Sequence, residues 1–159
     1  MKGRYLLQTM LLAFVLLPGV GWGQDAQNVE RKGAGYVFVA PGAWVGDGSA
    51  AVLGFGVGGE RLLKAGFGIS ADVGYYTRGG FETGLGLFSP GVLYQFQRTT
   101  KVVPFVNGGY SLACCSVLNM VYFGAGVNYW PKNHLGLRFE FRDQLSPSLL
   151  QFRIGLLFR

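Results

Sequence analysis

Apolar residues alternate with small or polar residues along most of the chain after residue 35. Between Leu62 and Tyr75 every second residue is apolar, and the residues between them are Lys, Gly, Ser or Asp. Successive side chains of a strand point to opposite faces, so a period of two predicts strands with unlike faces. Eight such segments are predicted: Gly35–Ala43, Ala50–Gly59, Leu62–Tyr75, Thr83–Gln97, Val102–Gly109, Met120–Trp130, Leu135–Asp143 and Leu149–Arg159.

The predicted connections alternate in character. Tight turns are expected at 59–60, 98–101 and 131–134, and looser loops at 44–49, 76–82, 110–119 and 144–148. Short turns at one end and longer loops at the other are typical of membrane-spanning barrels, whose strands need about 9 to 11 residues to cross a bilayer. The predicted fold class is therefore all-β, an eight-stranded antiparallel up-and-down transmembrane β-barrel that occupies residues 35–159.

The beginning of the chain is typical of an export signal. Lys2 and Arg4 precede the mainly apolar run Tyr5–Leu17, Pro18 ends that run, and the small residue Gly23 marks a cleavage point. The run is shorter than the roughly 20 residues of a membrane-spanning helix. Residues 1–23 are therefore predicted to be a cleaved signal peptide, and residues 24–34 a short polar tail.

Composition favours a barrel whose apolar face is outside. Gly accounts for 27 of 159 residues, and only 14% of the residues are charged, against about 25% in a typical soluble domain. Glycines on the polar face suit the narrow interior of an eight-stranded barrel. Aromatic residues gather near the strand ends, as in interfacial girdles: Trp44, Tyr75, Tyr76 and Tyr110 at one end, and Tyr94, Phe96, Tyr129, Trp130 and Phe158 at the other. A soluble barrel with an apolar ligand inside is the alternative.

Several charged residues fall on the face that is predicted to line the interior. Arg138, Glu140 and Arg142 have a spacing of two residues, which places them on one side of a strand. Because a buried charge must be paired or hydrated, Glu140 is predicted to bridge these arginines or Arg153. The network is expected to be a structural plug, with a narrow gated pore as the alternative. The predicted network comprises Glu60, Lys64, Asp72, Arg138, Glu140, Arg142 and Arg153.

The last nine residues, QFRIGLLFR, resemble the C-terminal strand signature of bacterial outer-membrane proteins. Phe152, Ile154, Leu156 and Phe158 alternate towards the terminus, although Arg159 follows the final aromatic residue. Together with the export signal and the eight segments, this pattern resembles the OmpA-like and OmpX-like outer-membrane barrel superfamily. The resemblance implies a bacterial outer-membrane location and contact with its lipid and lipopolysaccharide. It also implies that the barrel-assembly machinery recognises those four residues.

Little in the sequence indicates catalysis. Cys114 and Cys115 are adjacent, their redox state is left open, and neither belongs to a CxxC pair. The one histidine, His134, lies in a predicted turn without the HxS arrangement of barrel deacylases. No catalytic residue, metal, cofactor or nucleic-acid partner is therefore expected, and the oligomeric state is open. The predicted function is a non-enzymatic outer-membrane barrel for envelope structure or surface contact. The alternatives are the pore, the soluble ligand-binding barrel and a lipid-modifying enzyme.

Overall fold

The computed structural model describes residues 33–45, 49–78, 84–96, 100–114, 119–145 and 148–159. The predicted signal peptide and most of the predicted tail lie outside these residues. Within the described part of the chain, no helix is long and apolar enough to cross a bilayer.

Eight strands form a closed barrel in which each strand pairs antiparallel with its sequence neighbours. The last strand, β8, closes the barrel by pairing with β1. Closure leaves no open edge, so the ladders can satisfy the backbone polar groups without water. The predicted fold class is confirmed. The strands are β1 (Gly33–Val45), β2 (Ala50–Leu62), β3 (Phe67–Thr77), β4 (Gly84–Gln95), β5 (Val102–Ala113), β6 (Asn119–Tyr129), β7 (Leu135–Leu145) and β8 (Ser148–Phe158).

The apolar face of the strands is outside, as predicted. On β8, Ile154 is 39% exposed and Leu156 is 48% exposed, whereas Arg153, which precedes Ile154 on the same strand, is 1% exposed. On β7, Phe139 is exposed while its neighbour Glu140 is buried. The same alternation runs around the barrel, so the small and polar positions line the interior. A soluble barrel with its apolar face inside has the opposite arrangement.

The barrel has two ends, which we name by their connections. The terminal end holds Gly33, Arg159 and the connections 63–66, 96–101 and 130–134, and the loop end holds the connections 46–49, 78–83, 114–118 and 146–147. The predicted contrast between tight turns and longer loops is wrong, because the connections at the two ends are of similar length. The ladder of β7 continues to Leu145 and that of β5 to Ala113, past the points where apolar alternation weakens.

The first turn also differs from the prediction. Gly59 and Glu60 are paired residues of β2, and the chain turns only at 63–66. There Ala65 and Gly66 have φ values of 52° and 91°, in the left-handed region that glycine adopts readily. Lys64 is consequently exposed in this turn and not in the interior, which corrects its assignment to the charge network.

Three of the predicted girdle aromatics lie on the inner face instead, and one of them, Trp44, is partly buried against the core of the barrel. Tyr76 and Trp130 are both only 4% exposed. Trp130 lies at the terminal end, where the Arg159 guanidinium lies 4.3 Å from the centroid of its ring. Partial burial lowers the pKa of the Arg159 guanidinium, but an arginine remains protonated at neutral pH.

Glycines on the inner face allow the strands and the interior side chains to approach closely. A Cβ built at Gly56 would overlap the carbonyl oxygen of Val73 and lie 2.7 Å from Cζ of Phe38. A Cβ at Gly59, on the outer face of the same strand, meets nothing nearer than the carbonyl oxygen of Ala34 at 3.7 Å. The inner glycines therefore provide space that the interior side chains occupy.

We expect Gly56→Ala to lower the free energy of unfolding by about 1–3 kcal/mol, because its methyl group overpacks a filled interior. Gly59→Ala is the matched control on the same strand and should be nearly neutral. Urea titrations of both variants, refolded in lipid vesicles, measure the difference. Equal stability of the two variants would contradict the close packing of the inner face.

Candidate functional site in the barrel interior

A cluster of six charged side chains lies in the middle of the barrel. The structure brings together six of the seven residues predicted for the network, all of them buried, and leaves out Lys64. They come from four strands: Glu60 on β2, Asp72 on β3, Arg138, Glu140 and Arg142 on β7, and Arg153 on β8.

Glu140 is the point on which the arginines converge. Its Oε2 accepts a hydrogen bond from Nε of Arg138 at 2.9 Å, and its Oε1 accepts one from Nε of Arg142 at 2.8 Å. Arg153 lies opposite Glu140 in the β7–β8 ladder, with its Nη1 3.7 Å from Oε1. Asn107 also donates to Oε1, at 2.9 Å. The predicted bridging position of Glu140 agrees with these contacts.

Asp72 binds two of the same arginines from the opposite side of the barrel. Arg153 makes a two-pronged contact with Asp72, at 2.9 Å to Oδ1 and 3.2 Å to Oδ2. Nη2 of Arg142 lies 3.1 Å from Oδ2, and the Tyr36 hydroxyl donates to the same oxygen at 3.4 Å. Such bidentate pairing fixes the orientation of a guanidinium as well as its position.

Glu60 completes the network towards the terminal end. Nη1 of Arg138 lies 2.7 Å from its Oε2, and Gln95 and Asn128 donate to its Oε1 at 2.6 Å and 3.4 Å. Among the described residues of the interior, three guanidinium groups thus face three carboxylates, and their formal charges cancel. Neutrality matters here because an unpaired buried charge costs several kcal/mol.

Aromatic rings cover the faces of the guanidinium groups that the carboxylates leave free. Arg138 lies 4.0 Å from the centroid of Phe105 and 4.7 Å from that of Tyr36. Arg153 lies 3.6 Å from the centroid of Phe38. Arg142 packs in the same way on Tyr122, at 4.1 Å. A cation over a ring face is attracted by the ring quadrupole, most strongly where water is excluded.

Buried, mainly apolar side chains lie on both sides of the charged layer. Each layer is composed of side chains that are 8% exposed or less. The layer towards the loop end contains Ala40, Val52, Leu87, Met120 and Leu149, and that towards the terminal end contains Ala34, Leu62, Leu93, Val103, Trp130 and Leu157. Buried polar side chains, among them Gln144 and Ser111 towards the loop end and Gln95 and Asn128 towards the terminal end, lie among these apolar residues. The charged layer is therefore bounded on both sides by buried, mainly apolar side chains.

Several participants were not anticipated from the sequence. Tyr36, Gln95, Asn107 and Asn128 all donate to the carboxylates, and Tyr76 lies 3.4 Å from Nη2 of Arg153. Their positions on the inner face follow from the alternation. Their partners do not, because these depend on how the strands are staggered around the barrel.

The reactive side chains of the described residues do not come together. His134 is exposed in the connection 130–134 at the terminal end, whereas Cys114 is exposed and free at the loop end. The hydroxyls of Ser89 and Ser111 share a hydrogen bond of 2.8 Å, but both serines are completely buried. No group of three potential metal ligands is found within the described ranges.

Solved structures of small outer-membrane barrels resemble this fold. Neisserial surface protein A superposes with a TM-score of 0.66 at 13% identity, covering 79% of this chain and 96% of that one. Ail of Yersinia pestis gives 0.62 at 14% identity, covering 82% and 99%. The N-terminal barrel domain of Pseudomonas aeruginosa OprF gives 0.58 at 17% identity, covering 84% and 98%. No protein-family model and no curated protein matches the sequence.

These likenesses are structural, since the identities are low. They show that the chain has the fold of small outer-membrane barrels, as the sequence pattern predicts. The fold is compatible with more than one function, because the outer-membrane enzyme PagL has it too, with a TM-score of 0.50 at 14% identity.

We expect Glu140→Gln to lower the free energy of unfolding by about 3–5 kcal/mol, and by less if water enters, because three buried arginines then share two carboxylates. Urea titrations measure the change. Lys64→Gln, which removes an exposed charge, is the control and should change stability by less than about 0.5 kcal/mol.

The double variant Glu140→Gln/Arg142→Gln tests the balance of charge. It leaves Glu60 with Arg138 and Asp72 with Arg153, each a one-to-one pair. It should therefore be more stable than Glu140→Gln alone. The single variant Arg142→Gln is measured as well. If the double variant loses as much stability, relative to the wild type, as the two single variants lose together, charge balance is not the organising feature.

Proposed function

We propose that this chain is an integral protein of the bacterial outer membrane whose filled, sealed barrel serves the envelope structurally, without catalysis or conduction. The observation that carries the proposal is the buried layer of three arginines and three carboxylates, whose charges balance and which is bounded on both sides by mainly apolar buried side chains. An eight-stranded barrel is just wide enough for its side chains to fill, and here they do so.

The outer surface supports a lipid environment. Large apolar side chains are exposed on strands all around the barrel, among them Val57 at 57%, Phe67 at 61%, Val92 at 64% and Phe123 at 57%. Soluble monomers rarely expose continuous apolar areas larger than a few hundred Å². We infer that this band contacts the acyl chains of phospholipid and of lipopolysaccharide, and that a soluble ligand-binding barrel is the weaker interpretation.

The interior favours a plug over a narrow gated pore. Arg138, Arg142 and Arg153 are at most 1% exposed, and each is held by at least one carboxylate and one aromatic ring. An ion would have to displace these contacts and pass the buried side chains on both sides of the charged layer. Opening a path would therefore cost much of the barrel's own stability.

The placement of the reactive side chains favours a non-enzyme. The only histidine of the chain lies at the terminal end, away from Ser49 and Ser148 at the loop end. A nucleophile and its base need to be within hydrogen-bonding reach of each other.

We further propose that Phe152, Ile154, Leu156 and Phe158 form the assembly signal on β8. All four side chains are exposed on the outer face of the strand that closes the barrel against β1. The ring of Phe158 covers Gly35 on β1, where a larger residue would displace it. The barrel-assembly machinery would therefore meet these residues before closure.

Phe139→Arg tests the membrane-facing surface. Phe139 lies mid-strand between Val127 and Ile154, and Arg near the bilayer midplane of a barrel costs about 2–4 kcal/mol. We expect less heat-modifiable barrel in the membrane fraction, whereas the control Phe139→Leu should insert normally. Equal insertion of both variants, or recovery of the wild type as a soluble periplasmic protein, would count against the proposal.

Planar bilayers test the plug. We expect the wild-type barrel to give no stepwise current although gel mobility shows that it is folded and inserted. Glu140→Gln is a second test, because a gate made by this network should conduct more when its central carboxylate is neutral. Stepwise currents from the wild type that increase in Glu140→Gln would establish the pore instead.

A further inference from the structure

The exposed charges of the barrel are distributed unequally between its ends. Five basic side chains are exposed at the terminal end: Arg61, Lys64, Lys101, Lys132 and Arg159. No exposed acidic residue accompanies them within the described ranges, where Glu60, Asp72 and Glu140 form their ion pairs with Arg138, Arg142 and Arg153 instead. At the loop end the described charges are Arg78 and Asp143. Outside the described residues, the sequence places Asp47 and Glu82 in loop-end connections, Arg98 in a terminal-end connection, and Asp25, Glu30, Arg31 and Lys32 before β1.

These five cations, which we call the basic ring, are spread around the terminal rim. Arg61 lies near the end of β2, Lys64 lies in the β2–β3 turn, Lys101 lies before β5, Lys132 lies before β7, and Arg159 follows β8. Because the sheet is closed in sequence order, these points are distributed around the circumference of the barrel. A dispersed ring suits many small ligands better than one compact partner.

The basic ring also borders the apolar band directly. Lys101 is followed by Val102, which is 48% exposed, and Arg159 follows Phe158, which is also 48% exposed. Arg61 pairs across the ladder with Ile69, which is 50% exposed. Cations that begin where an apolar band ends lie at the depth of lipid headgroups, and long basic side chains can extend to reach them.

We propose that the basic ring binds the phosphates of anionic phospholipids in the leaflet that faces the terminal end. This inference rests on the proposed membrane location. An exported chain reaches the outer membrane from the periplasm, so we place the start of β1 and the end of β8 on that side, with the hairpins β1–β2, β3–β4, β5–β6 and β7–β8 crossing the membrane. The ring then faces the phospholipid leaflet, and its unpaired positive charges complement anionic headgroups.

The test compares spin-labelled phosphatidylglycerol with spin-labelled phosphatidylcholine as lipids restricted at the barrel surface in phosphatidylcholine vesicles. We expect the wild type to prefer phosphatidylglycerol several-fold, and each cation removed to lower its relative association constant by up to about five-fold. The triple variant Lys64→Gln/Lys101→Gln/Lys132→Gln should lose most of the preference. Its matched control, with arginine at the same three positions, should keep it.

Repeating the measurement at high salt is an independent test. At about 1 M salt the Debye length is only about 3 Å, so the preference for phosphatidylglycerol should largely vanish. Equal association of both lipids with the wild type, or a preference that survives the glutamine substitutions, would overturn the proposal. Binding of a soluble anionic glycan without any lipid preference would also overturn it. Heat-modifiable folding in pure phosphatidylcholine is measured in parallel, so a barrel that inserts but shows no preference refutes the basic ring and not the membrane location.

Discussion

Three arginines lie together in the middle of this barrel, and the other interior residues are arranged to compensate their burial. Burying a guanidinium is costly unless carboxylates and hydrogen-bond partners replace the water it loses. Glu140 contacts Arg138, Arg142 and Arg153, while Asp72 and Glu60 hold the ends of the same groups. Removing one carboxylate therefore affects more than one arginine, because the charges form a single balanced unit.

Glycine is what gives this network room. A Cβ at Gly58 would lie 2.7 Å from the Cβ of Asp72, and one at Gly126 would lie 2.7 Å from Cζ of Phe105. The rings and guanidinium groups that project from neighbouring strands fill the space above these glycines. High glycine content, which would weaken an ordinary strand, becomes a packing requirement when large side chains must share a narrow closed sheet.

The alternation of residues was sufficient to predict the barrel and the common face of Arg138, Glu140 and Arg142. It failed at Lys64, because Gly59 and Glu60 resemble a turn while the chain in fact reverses at Ala65 and Gly66. A two-residue period cannot locate a turn when glycines occur on both sides of it. Nor can it pair Gln95 with Glu60, since that contact joins strands whose stagger is fixed only when the barrel closes.

The distribution of charged residues keeps two requirements separate: a neutral interior and a positively charged terminal rim. The interior has to be neutral, so its arginines are paired with Glu60, Asp72 and Glu140. With those acids committed inside, the cations of the terminal rim have no exposed acidic neighbour in the described part of the chain, and their attraction is directed outwards. A rim carboxylate would weaken that attraction, and a missing interior carboxylate would destabilise the barrel. The position of each acidic residue therefore affects both the stability of the barrel and the attraction of its terminal rim for anionic lipids.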